Sequence, residues 1–149
     1  MNLKEKISSD VKEAMKKKDE LTLTTLRGVL SSIKNKEIDK KEELNEEEAL
    51  EVLMSEAKKR KDSIQEFKKG NRPDLVEKEE KELEILKEYL PEQLSEEQIK
   101  EEAKKTIEEV NAVGPQDTGK VMGALMPKLK GKADGNLVSK TVQDLLKGN

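Results

Sequence analysis

The chain has 149 residues, enough for one domain or two small ones; 42% are charged and 32% hydrophobic, with one Tyr, one Phe and no Trp. The absence of Cys excludes disulfides, thiolate nucleophiles and zinc–thiolate or iron–sulfur sites, and the absence of His removes the commonest general base and metal ligand. The formal charge of −3 is uneven: Pro115 to Asn149 carries six lysines against three aspartates, a net of +3, which leaves −6 on the first 114 residues.

Such a charge content can signal disorder, but the apolar residues recur at helical spacing nearly throughout, so an all-α, multihelical protein is expected. A first helix spans residues 2–17 on the stripe Leu3, Ile7, Val11 and Ala14/Met15. Asp19 caps a second, from Glu20 to Asp39, with Leu23, Leu26, Leu30 and Ile33 on one side. Asn45, followed by three glutamates that complement the helix dipole, opens a third. Its stripe is Ala49, Val52/Leu53, Glu56/Ala57, Arg60, Ile64 and Phe67, with Gly70 as its stop. Pro73 sits in the first turn of a fourth helix that runs to Tyr89, and Leu90-Pro91 breaks it. These four helices form a first subdomain, residues 1–90.

A second subdomain, residues 91–149, contains three helices. Ser95 with Gln98 three residues on is a capping box, and Ile99, Ala103, Ile107 and Val110 mark the buried face of the fifth helix. Asp117 is read as the cap of the sixth, which carries Val121, Met122, Leu125, Met126 and Leu129. Pro127 interrupts it, predicting a kink or an end near Met126. Asp134 caps a seventh with Leu137/Val138, Val142 and Leu145/Leu146 inward.

Several motifs are tested and set aside. Gly114 to Lys120 has the GxxxxGK spacing of a phosphate loop, but Val121 stands where Ser or Thr must bind magnesium, and a helix precedes it instead of a strand. Ser31-Ser32-Ile33-Lys34 and Ser55-Glu56-Ala57-Lys58 both contain SxxK, a cheap match in Lys-rich helices. The glutamate runs lack the Gly and Asn interleaving of a calcium loop. No catalytic residue, metal ligand or cofactor is therefore assigned; any catalysis would fall to carboxylates, lysines, Ser/Thr or Tyr89.

Two features of the tail remain. Gly119 and Gly123 lie four apart on one helix face and are read as close helix-packing positions, with a face open to another backbone as the alternative. Lys128, Lys130 and Lys132 straddle the turn at Gly131, Lys140 lies one helix later, and Asn136 sits in the first turn of the last helix. Lysines beside a helix start suit the phosphates of RNA, and a merely solvated basic face is the other reading. The tail holds no Phe, Tyr, Trp or Arg, so binding there would read shape and backbone rather than bases. With its charged N-terminus and no long apolar run, the chain is expected to be cytoplasmic and to bind neither membrane nor DNA.

The stretches Tyr89-Leu-Pro-Glu-Gln-Leu-Ser-Glu-Glu-Gln-Ile99 and Thr118-Gly-Lys-Val-Met-Gly-Ala-Leu-Met-Pro-Lys-Leu-Lys-Gly-Lys-Ala-Asp-Gly135, with Arg60-Lys-Asp-Ser-Ile-Gln-Glu-Phe67, resemble the YqeY-like family over the whole chain. The C-terminal part also resembles the tail of the B subunit of the glutamine-dependent aspartyl/glutamyl-tRNA amidotransferase, through Gly131-Lys132-Ala133 and Leu137-Val138. The resemblance implies two helical subdomains and a contact to tRNA near Lys128 to Lys132 and the start of the last helix. It implies carbon–nitrogen ligase activity with glutamine as amide donor only by association, because the amidotransferase's catalytic domain and amidase subunit have no counterpart here. The expected role is a non-catalytic accessory module that binds tRNA or tRNA-like RNA. A protein–protein adaptor in translation or tRNA metabolism, using the apolar and glycine faces of the sixth helix, is the alternative.

Overall fold

A computed structural model describes residues 1–148. They form seven α-helices with no strand among the described residues: α1 (Leu3–Lys17), α2 (Glu20–Lys40), α3 (Glu46–Lys69), α4 (Pro73–Lys87), α5 (Glu96–Glu109), α6 (Thr118–Leu129) and α7 (Gly135–Lys147). A short 3-10 turn, Pro115–Asp117, leads into α6. The chain divides into two compact units, Met1–Leu90 and Pro91–Asn149.

In the first unit, α1 pairs with α2 and α3 with α4, and Ile7, Leu26, Val29, Ile33, Leu53, Ala57, Leu83 and Leu86 fill the space between them. Local chemistry starts each helix. Asn2 accepts from the Glu5 amide at 2.8 Å, Asp19 accepts from the Thr22 amide at 3.2 Å, and Asn45 and Glu48 exchange both bonds of a capping box at 2.8 and 3.1 Å. Among the core apolar residues α3 buries Glu56 and most of Arg60, whose Nη1 donates to the Glu56 carboxylate at 2.9 Å. Ser32 of α2 donates to the same carboxylate at 2.6 Å, and Arg60 Nη2 lies 3.7 Å from Glu82 of α4. One charge network thus spans three helices.

The helix ends correct one expectation. Gly70 does not make the left-handed turn that ends α3; its φ is −82°, and Asn71 takes φ 54° instead. The Asn71 amide returns to the Lys68 carbonyl and the Arg72 amide to the Phe67 carbonyl, the paired bonds of a Schellman stop. Lys18 ends α1 and Asn111 ends α5 in the same way, with φ 58° and 56°. Asn tolerates this conformation through its short polar side chain, whereas Lys18 holds it against an ordinary Cβ clash.

In the second unit, α5, α6 and α7 pack pairwise around Ile99, Ala103, Ile107, Val121, Leu125, Leu129, Val138, Val142 and Leu146. Ser95 and Gln98 form the predicted capping box at 3.2 and 2.9 Å. Asp117, however, makes no cap bond to α6. Its carboxylate accepts from the Val113 amide at 2.9 Å, because the 3-10 turn runs straight into the helix and aims that side chain back at the loop. Nor does α6 end near Met126: it continues through Pro127 to Leu129. The fixed φ of proline is itself helical, so one lost hydrogen bond near the helix end does not stop it.

Candidate nucleic-acid interface

The turn between α6 and α7 is built from the inside. Leu129 and Ala133 are buried, and between them Gly131 is buried with φ 79°, a conformation that favours glycine. The amides of Lys132 and Ala133 both return to the Leu129 carbonyl, at 2.8 and 3.2 Å. A strap from the segment before α5 holds the turn from its other side. Gln93 Nε2 donates to the Gly131 carbonyl at 2.8 Å, and the Leu94 amide donates to the Lys132 carbonyl at 2.9 Å.

This anchoring leaves the lysines outward. Lys128, Lys130, Lys132 and Lys140 are all exposed, as is Asn136. Lys128 lies 3.3 Å from Glu109, with both side chains half exposed, and such a surface pair contributes at most about 1 kcal/mol. A phosphate can therefore compete for it. Gly131 itself is no part of the exposed surface, since it is buried with its carbonyl occupied; it shapes the turn that presents its neighbours. The helix start beyond is less open than its sequence suggests. The Asp134 carboxylate accepts from the Asn136 amide at 3.3 Å, which uses one of the first-turn donors and adds negative charge. Lysine side chains, not the α7 N-terminus, make this surface attractive to anions.

Gly119 and Gly123 do not serve helix packing. A Cβ built on either meets nothing within 4 Å, and both residues are exposed. The buried side of α6 is Val121, Leu125 and Leu129, two residues out of step with the glycines and so about 200° around the helix. The glycines share the solvent side with Lys120 and Pro127.

Periodicity had no means of finding the strap. Gln93 and Gly131 are 38 positions apart, and neither lies in a repeating pattern. The Pro-Glu-Gln-Leu run at 91–94, between two helices, was the one available signal.

The Yqey-like protein family matches residues 4–146. This chain belongs to that family. Among curated proteins it is similar to altered inheritance of mitochondria protein 41, mitochondrial, of Lachancea thermotolerans: 55% identical over 85 residues, covering 56% of this chain and 46% of that one. The protein of the same name in Kluyveromyces lactis is 52% identical over 84 residues, 56% of this chain and 45% of its own. The one in Pyrenophora tritici-repentis is 32% identical over 144 residues, 95% of this chain and 79% of its own. The chain spans about half the length of the Lachancea and Kluyveromyces relatives. Membership in the Yqey-like family agrees with an accessory role at the level of the family.

The expected cytoplasmic location does not stand, because these similar proteins are all named as mitochondrial. A charged N-terminus and the lack of an apolar run are poor guides to compartment, since neither distinguishes one aqueous space from another. Among the described residues no helix is long and apolar enough to cross a membrane.

Proposed function

We propose that the protein is a non-catalytic accessory module that binds structured RNA, tRNA or tRNA-like, through the basic turn between α6 and α7. The observation that carries this reading is the ring of exposed lysines, Lys128, Lys130, Lys132 and Lys140, around a turn locked from within by Gln93 and Leu94. A rigid frame that presents several cations binds a phosphate backbone without paying heavily in chain entropy. The resemblance of this segment to the amidotransferase tail supports tRNA as the RNA class. Carbon–nitrogen ligase chemistry with glutamine as amide donor would belong to a complex that the chain joins, not to the chain. For location, the relatives' names point to a mitochondrial rather than a cytoplasmic setting.

The test is equilibrium binding of purified protein to tRNA across a salt series. Log affinity falls linearly with log salt, and Lys130→Glu with Lys132→Glu weakens binding at least tenfold and flattens the slope by about two, one for each phosphate contact removed. No association with tRNA at low salt, or a double variant that binds like the parent, refutes the reading.

A further inference from the structure

The solvent side of α6 carries a main-chain acceptor that its own helix leaves unused. Within an α-helix each carbonyl takes the N–H four residues on, and for Gly123 that residue is Pro127, which has none. Gly123 is exposed, and a Cβ placed on it meets no atom within 4 Å, so the space above this stretch of backbone is open. Gly119, one turn earlier, is equally open. Lys120 stands exposed on the same face, three residues from Gly123, and Lys128 lies exposed one residue beyond Pro127.

A carbonyl can only accept, so its occupant must bring a donor. The neighbouring lysines disfavour the cationic donors of another protein, Lys and Arg, and favour an anionic chain. An anionic chain with a neutral donor at every unit is RNA: each ribose bears a 2′-hydroxyl, whereas deoxyribose bears none. We propose that α6 distinguishes RNA from DNA, the Gly123 carbonyl accepting a hydrogen bond from a ribose 2′-hydroxyl while Lys120 contacts an adjacent phosphate. Pro127 creates the acceptor by withholding its helical partner, and the missing side chains at Gly119 and Gly123 let the sugar come close. The inference rests on the RNA-binding reading above and adds to it a chemical selectivity that lysines alone do not supply.

The test uses the full chain and fluorescence anisotropy with one hairpin sequence made as RNA and as its 2′-deoxy counterpart. The parent protein binds the RNA about three- to tenfold more tightly, the range for one net hydrogen bond. Pro127→Ala restores the N–H that closes the helix onto Gly123, so its RNA affinity drops to near the DNA value while DNA affinity stays unchanged. Gly123→Ala, whose Cβ has room, crowds the acceptor and lowers RNA affinity in the same direction; circular dichroism confirms that both variants remain helical. Equal parental affinity for the two hairpins, or Pro127→Ala keeping the full RNA preference, overturns the inference while salt-dependent RNA binding stands. Failure of the parent to bind either hairpin at low salt overturns both proposals together.

Discussion

Replacing Arg60 with methionine puts the charge network of the first unit to a quantitative test. The Arg60 side chain is 13% exposed, and its carboxylate partners Glu56 and Glu82 are 11% and 13% exposed. Arg60 Nη1 donates to the Glu56 carboxylate and to the Glu56 carbonyl, at 2.9 and 3.0 Å. Without it Glu56 keeps Ser32 and an outlying Lys59 at 3.6 Å, and Glu82 keeps only a long bond from Thr25 at 3.4 Å. Removing one partner of a buried pair costs roughly 3–5 kcal/mol. The surviving Ser32 and Lys59 contacts, and the residual exposure of both carboxylates, reduce that to about 2–3 kcal/mol for Arg60→Met. Arg60 Nε already lacks a hydrogen-bond partner, so no bond is lost there. Adding Glu56→Gln removes the stranded charge and recovers about 1–2 kcal/mol. The assay is urea unfolding followed by circular dichroism. A cost below 1 kcal/mol for Arg60→Met, or a double variant no more stable than the single, refutes the argument.

The same network has a pH signature. Burial pushes the Glu56 carboxyl up, but hydrogen bonds from Ser32 and Arg60 and the charges of Lys59 and Arg60 together outweigh it and hold the group below the ordinary glutamate range. Its contribution to stability is therefore complete above the unfolded-chain value of about 4.3 and is lost as pH falls below it. In Arg60→Met that acid-side loss is shallower, which urea midpoints at neutral and acid pH measure. The chain's one tyrosine offers a separate reading. Burial, then a short hydrogen bond to Asp10 and that group's charge, raise the Tyr89 phenol far above its ordinary value, so tyrosinate absorbance is absent near pH 11 in the folded protein and emerges on unfolding. Because the folded state holds this proton more tightly, stability declines as pH rises past the free-phenol value of about 10. Finally, Lys18→Gly relieves the left-handed backbone that ends α1 and raises stability by roughly 0.5–1 kcal/mol, read from the same urea midpoints; an unchanged or lower midpoint contradicts it.

The all-α class and most of the helix starts were legible in the sequence because they are decided locally. Asn45, Ser95 and Asp134 sit one to three residues from the amides they satisfy, and the apolar stripes recur within a turn or two. The exposed lysines of the candidate site were legible for the same reason: a charged side chain between buried positions faces water in almost any helical arrangement. Tertiary structure decided what depends on partners far away in the chain. Whether Gly119 and Gly123 lie against a neighbour or open to solvent turned on which side of α6 the other two helices cover, and local spacing is the same in both cases. The strap from Gln93 to Gly131, the redirection of Asp117 to Val113, and the closure of Ser32, Glu56, Arg60 and Glu82 into one network belong to that second kind. The sequence by itself determined the helices and the charge along them; only the packing of those helices decided which turn is rigid, which glycines are open and which charges are buried.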